Sequence, residues 1–322
     1  MIHPTPPGTR DVLPDEMREL RAISDALRAT FEAHDYGEVW TPTMEYEDVL
    51  RRGDEQAAGA GYRLFDDHGQ LLALRSDMTI PIARVVGTRY QDAEPPIRLA
   101  YFAHAYRAVT RGEAQTREFL QAGIELVGSP APEGDAEVVA ITLEALERVG
   151  LRRCRIAIGD GELYRSLLGA YEVGEGDRRA VLEALSGRDL VGLGTSLARA
   201  GLSGEAEAVL SKLCTLRGGP EVLEGHDGPA ATALEGLRRT HELLAERGVA
   251  DSVILDLGLV RELGYYTGSV FEVYDPAVGR ALGGGGRYDD LVGRFGRDLP
   301  ACGIALDLHR VHLAQTAEER LG

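Results

Sequence analysis

Leu20, Ile23, Leu27 and Phe31 recur at the spacing of one helix face, which predicts an amphipathic helix over residues 15–34, stopped by Tyr36-Gly37. Extended patterns follow. Residues 38–42 read as a strand running into Pro42, and residues 62–74 as a hairpin turning near His68-Gly69. A helix is expected over 79–86, then two long strands over 97–106 and 117–127, joined by the polar loop 110–115. Asp135 is placed to cap a helix that presents Val139, Leu143 and Leu146 and ends at Gly150, with a strand over 153–158 next.

From residue 172 to 250 the pattern changes to short helical pieces separated by glycines, carrying Val181, Leu182 and Leu185, then residues 190–197, then Leu234, Leu237 and Leu244. This stretch is expected to be an inserted helical subdomain, with 1–171 and 251–322 forming the core around it. Strand patterns return at 253–257 and 265–274, and a last helix beginning near Leu306 carries Leu308, Val311 and Leu313. Hairpin-connected strands without regular strand–helix alternation predict an α+β fold, with a mainly antiparallel sheet flanked by helices and a small helical insertion.

Composition narrows the function more than the fold. A formal net charge of −17 repels phosphate backbones and, with no basic stripe in view, argues against a nucleic-acid partner. Lys212 is the only lysine and follows Ser211, so there is neither a Walker-type phosphate loop nor a choice of Schiff-base lysines. Cys154, Cys214 and Cys302 are too scattered for a zinc site or a disulfide framework. The start of the chain lacks a signal-peptide pattern and no stretch is apolar enough for a membrane helix, so a cytoplasmic protein without membrane contact is expected. His309 and His312 share a helix face but lack a third ligand or a glutamate base, and neither metal nor cofactor is expected.

Single motifs are weak. Gly283-Gly284-Gly285-Gly286 most simply makes a turn. Tyr265-Tyr266 most simply puts one ring inside a strand and one outside. Arg107 and Arg117, flanking a loop, could point at an anion or at water.

Their order is specific. Pro7 to Pro14 resembles the opening of histidyl-tRNA synthetases, and Leu74-Arg75-Ser76-Asp77-Met78-Thr79 resembles their histidine-contacting turn. Tyr106-Arg107 through Arg117-Glu118-Phe119-Leu120-Gln121 resembles motif 2 of class II synthetases. Leu259 through Gly268, containing Arg261 and Tyr265-Tyr266, is similar to the histidine-specific signature. Gly285 through Asp289, and Gly303 through Arg310, are similar to the glycine segment and to motif 3, so the resemblance runs from Pro7 to about Leu313. It implies a class II core and a histidine site made of Asp77, Met78, Thr79, Arg107, Gln121, Glu125, Arg261, Tyr265 and Tyr266. Within it Asp77, Thr79 and Gln121 would hold the ammonium, Glu125 and Tyr266 the imidazole, and Arg107 and Arg261 the carboxylate.

The departures point away from catalysis. After Leu313 only nine residues follow, where the family continues into an anticodon-binding domain, which is expected to be missing. Val109 and Ala114-Gln115 stand where the family contacts ATP, His309 replaces a glutamate, Leu120 a histidine, and Gly264 an aspartate. Asp307 replaces a motif 3 glycine and would set an unpaired charge beside a triphosphate. A kept amino-acid pocket with a degraded ATP site resembles the synthetase-like regulatory subunits that join short-form ATP phosphoribosyltransferase. That resemblance implies no catalytic residues, a short-form catalytic subunit as partner, a self-dimer built through residues 15–42, and L-histidine as effector. Arg107 and Arg310, which adenylation would need, are present, and leave open a truncated synthetase paralogue that still forms an aminoacyl adenylate. A protein that only scaffolds its partner is the third expectation.

Overall fold

The computed structural model describes residues 5–55, 61–108, 116–226, 228–261 and 264–321. Helix α1 (Pro14–Ala33) opens on a proline with acidic side chains in its first turn, which suits the positive end of a helix, and buries the predicted face of Leu20, Ile23, Leu27 and Phe31. Its apolar stripe lies on a nine-stranded sheet. In spatial order the strands are β1 (Gly37–Glu38), β5 (Ile97–Tyr106), β6 (Glu118–Val127), β12 (Ala301–Asp307), β11 (Ala281–Arg287), β10 (Ser269–Tyr274), β7 (Arg155–Asp160), β9 (Val253–Asp256) and β8 (Arg217–Gly218). Among the described residues only the β1–β5 and β7–β9 pairs are parallel, so the sheet is mainly antiparallel as the hairpin spacing implied. A smaller antiparallel sheet is formed by β2 (Met44–Tyr46), β4 (Leu71–Leu74) and β3 (Arg63–Phe65). The last two make the predicted hairpin, and Asp66 fixes its turn by accepting from the amides of His68 and Gln70.

Alternation along the strands gives the large sheet two different faces. Ala122, Ile124 and Leu126 pack with α1 and with α4 (Glu133–Arg148). On the opposite face Leu99, Tyr101 and Val127 join Ile80 and Ile82 of α3 (Thr79–Arg89) and the rings of Tyr265 and Tyr288. Glu125, between Ile124 and Leu126, therefore belongs to the second face.

Several expectations fail for identifiable reasons. The glycine run is not a turn: it lies inside β11, between β10 and β12. Glycines carry no period-two signal, and both β11 and β12 went unread. Tyr265 and Tyr266 precede β10 instead of alternating within it, and both are buried. Asp135 is not a cap, since α4 begins at Glu133 behind Pro132. It is fully buried and accepts from Arg287 Nε at 2.9 Å and Ser269 Oγ at 2.8 Å. Of residues 38–42 only Glu38 lies in a strand, the two-residue β1, and Trp40 is 89 % exposed. In α10 (Leu308–Leu321) Ala314 takes the buried place expected for Leu313, which is 52 % exposed. The loop 110–115 lies wholly outside the described residues.

Between α5 (Gly161–Ala170) and β9 come α6 (Glu175–Ser186), α7 (Leu190–Arg199), α8 (Gly204–Leu213), β8 and α9 (Ala231–Glu246). Val181, Leu185, Leu193, Leu197, Leu210 and Leu213 share one hydrophobic cluster with the core, and Arg217–Gly218 adds the edge strand. The three cysteines are free. Among the described residues no helix is long and apolar enough to cross a membrane.

Candidate ligand-binding site

A cleft of about 610 Å³ opens on the second face of the sheet, within the size range of small-molecule sites. Its walls bring together Asp77, Thr79, Arg107, Gln121, Glu125, Arg261, Tyr265 and Tyr266. Met78 is the exception among the nine residues implied by sequence. Its side chain is fully buried in the core, where its sulfur accepts from the Thr41 hydroxyl at 3.8 Å.

One end of the cleft is acidic. Asp77 stands at the start of α3, with Oδ1 accepting from the Ile80 amide at 3.1 Å and Oδ2 from the Ser76 hydroxyl at 3.3 Å. Burial raises its pKa against the pull of those donors. Glu125 is 1 % exposed and accepts from Thr79 Oγ1 at 2.8 Å and from the Tyr288 hydroxyl. Burial pushes its carboxyl up to about 7, while the hydroxyl bonds pull it back and the Asp77 charge adds to the rise. Gln121 presents a buried Oε1 that has no hydrogen-bond partner among the described residues, an acceptor available to a ligand.

The other end is cationic. Arg107 lies with its guanidinium 5.4 Å from the Phe119 ring centroid. Burial, followed by the neighbouring Arg310 and Arg261 charges, holds its pKa below the usual guanidinium value. Arg261 approaches Glu272 at 3.9 Å. Arg310 is already engaged: its Nε is 3.2 Å from Asp307 and its NH1 donates to Ala281 O at 2.8 Å. Asp307 is thus not the unpaired charge expected from sequence. It caps α10 by accepting from the amides of His309 and Arg310 at 3.0 and 3.2 Å, and it neutralises the arginine that motif 3 would offer to ATP.

Two glycines make the geometry possible. A Cβ on Gly303 would collide with the Glu125 carboxylate, and one on Gly284 with the Arg261 guanidinium. Close approach, not a turn, is what these positions require. Above this floor the Tyr265 ring lies 5.0 Å from that of Tyr266 and meets Tyr288 edge-on at 5.9 Å. Arg165 holds the Tyr266 carbonyl at 2.9 Å.

Sequence reasoning missed Tyr288, Tyr101, Asp54 and Ser186, which also line the cleft. Tyr288 lay inside the Gly285–Asp289 motif and could have been singled out. Asp54, just past α2 (Glu47–Gly53), carried no signal. It lies 3.5 Å from where a Cβ on Gly264 would sit, and accepts from the Gly264 amide at 3.4 Å. A carboxylate therefore faces the position where the synthetase signature has its aspartate. Val109, Ala114 and Gln115 lie outside the described residues. Among the described residues no group of three or more His, Cys, Asp or Glu side chains could hold a metal ion. His309 instead contacts Arg10 at 2.8 Å, and His312 contacts Glu19 at 2.6 Å.

Acceptors at one end and guanidinium groups at the other suit a small zwitterion with a further N–H donor. The model of the histidyl-tRNA synthetase family matches residues 8–311. ATP phosphoribosyltransferase regulatory subunits of Symbiobacterium thermophilum and Desulforamulus reducens are 43 % and 40 % identical to this chain, over 98 % and 96 % of it and 81 % and 78 % of their own lengths. A solved structure described as an ATP phosphoribosyltransferase regulatory subunit/histidyl-tRNA synthetase from Bacillus halodurans superposes with a TM-score of 0.90 at 32 % identity, covering 98 % of this chain and 84 % of that one. The chain belongs to the histidyl-tRNA synthetase-like family and, within it, to the ATP phosphoribosyltransferase regulatory subunits.

Proposed function

We propose that this protein is the non-catalytic regulatory subunit of ATP phosphoribosyltransferase, needed for the first step of histidine biosynthesis, and that it senses free L-histidine in the cleft. The observation that carries the sensing role is the cleft's polarity. Asp77, with Thr79 and the unpartnered Gln121 Oε1, takes the ammonium. Glu125 and Tyr266 take the imidazole, and Arg107 and Arg261 the carboxylate. Feedback is then a coupling free energy: histidine favours the assembly state in which the short-form catalytic partner is less active.

Adenylation is the second reading, kept because Arg107 and Arg310 both line the cleft. The Asp307–Arg310 pair weighs against it by opposing a triphosphate. Self-association is supported by Trp40, Met44, Tyr46 and Phe65, large apolar side chains left exposed on and beside the small sheet. The charge of −17 supports a protein that works without nucleic acid, and three free cysteines support a reducing cytoplasm.

The test is reconstitution with a short-form catalytic subunit. The two should co-purify, activity should depend on this chain, and histidine should lower it. A catalytic subunit equally active alone, or a complex indifferent to histidine, would refute the proposal.

A further inference from the structure

Ser186, the last residue of α6, lines the cleft beside Glu272 of β10. Just beyond it the chain turns at Arg188, whose φ is +51. The Arg188 amide donates to Leu185 O at 3.0 Å and that of Asp189 to Ala184 O at 2.8 Å. Helix ends of this kind favour glycine at the left-handed residue, so an arginine here is strained relative to glycine and what it supplies is its side chain. The Arg188 guanidinium lies 3.4 Å from Glu272 Oε1 and 3.5 Å from Asp256 Oδ2. The other oxygen of Glu272 lies 3.9 Å from the Arg261 guanidinium. One carboxylate is thus shared between an arginine of the helical stretch and an arginine of the cleft.

We propose that Arg188 and Glu272 couple occupancy of the cleft to helices α6 and α7. The inference rests on the reading of the cleft as a histidine site. A ligand carboxylate competes with Glu272 for Arg261. As Arg261 turns to the ligand, Glu272 is left to Arg188, and that pairing also screens a negative charge that would otherwise repel the ligand carboxylate. The tightened pair draws the turn after α6 onto β10. Helix α7 follows, because Arg199 on it is tied to Asp177 on α6 at 2.7 Å. Histidine is thereby reported on the outer surface of both helices.

Arg188→Gly is the decisive variant, because glycine suits the left-handed backbone and so offsets part of the stability lost with the Glu272 and Asp256 pairs, and a thermal melt checks that the variant is folded. Calorimetry with L-histidine is run beside hydrogen exchange over residues 175–199. In the parent, histidine should slow exchange there. In R188G binding should weaken about three- to fivefold, as for a lost, partly exposed ion pair, and the slowing should vanish. Adding Glu272→Gln to R188G removes the stranded charge and should restore most of the affinity without restoring protection, a rescue that a merely structural role does not produce. Equal histidine-induced protection in parent and R188G, or no recovery in the double variant, overturns the coupling and leaves the histidine site standing. A parent that does not bind histidine overturns both.

Discussion

Glu125→Gln keeps the shape of a buried side chain and removes its charge. In the fold the carboxyl sits at about 7 against an ordinary 4.5, chiefly through burial. At about 1.4 kcal/mol per pKa unit the gap corresponds to about 3 kcal/mol. The folded state binds this proton more tightly than the unfolded state does. The stabilisation is therefore fully present below the unfolded pKa and is lost as pH rises through about 7. Glutamine has nothing to lose across that window, and the hydroxyls of Thr79 and Tyr288 can reorient toward its oxygen and amide. Part of that gap is the repulsion from the Asp77 charge, which the variant no longer feels. Urea denaturation at fixed protein concentration should show the difference between variant and parent moving in the variant's favour by about 2–3 kcal/mol between pH 5 and pH 8. A difference that does not change with pH would refute the reasoning. The same variant should bind histidine more weakly by about 1–3 kcal/mol, because an ionised acceptor is replaced by a neutral one. A protein that becomes more stable and a poorer sensor together is what a strained functional carboxylate produces.

Asp77→Asn, which keeps an acceptor for the Ile80 amide, should weaken histidine binding by more than about 2 kcal/mol and Tyr266→Phe by about 1 kcal/mol, both relieving feedback while leaving activation of the partner intact; calorimetry that finds D77N binding as tightly as the parent means the assigned pocket is wrong. Because Asp307 occupies Arg310, histidine-dependent pyrophosphate exchange should be absent, and a synthetase-like rate would restore the adenylation reading. In sedimentation the protein without its partner should be a dimer that Trp40→Arg shifts toward monomer, whereas a parent that stays monomeric at every concentration removes the self-association proposal.

The legible parts of the fold were those whose side chains repeat. Leu20, Ile23, Leu27 and Phe31 marked α1 to within a residue or two, and β5 was bounded by its own apolar run. β11 was illegible for the opposite reason, since four consecutive glycines leave no side chains to alternate. Asp135 looked like a cap because short acidic residues favour helix starts. Its real partner, Arg287, is 152 positions away in sequence, a distance no local pattern bridges. In the site, individually weak motifs became specific through their order, which located eight of the nine implied residues around one cleft. Met78 escaped because the turn into α3 sends neighbouring side chains in opposite directions, Asp77 to the cleft and Met78 to the core. The Asp307–Arg310 pair depends on where α10 starts, two residues later than the sequence suggested.

The floor of the cleft is backbone. An added methyl at Gly283 would strike the Ala305 carbonyl and one at Gly285 the Gly303 carbonyl, while Gly284 and Gly303 are closed by Arg261 and Glu125. Such a surface offers natural variation nothing to exchange, because every substitution there displaces sheet or ligand machinery before it can alter fit. Adaptation to a different small zwitterion is left to the rim, where Asp54, Gly264 and Ser186 come from separate stretches of chain and can each change alone. The site thus divides into a part that drift cannot touch and a part through which a lineage could wander from one effector to another while the sheet beneath stays as it is.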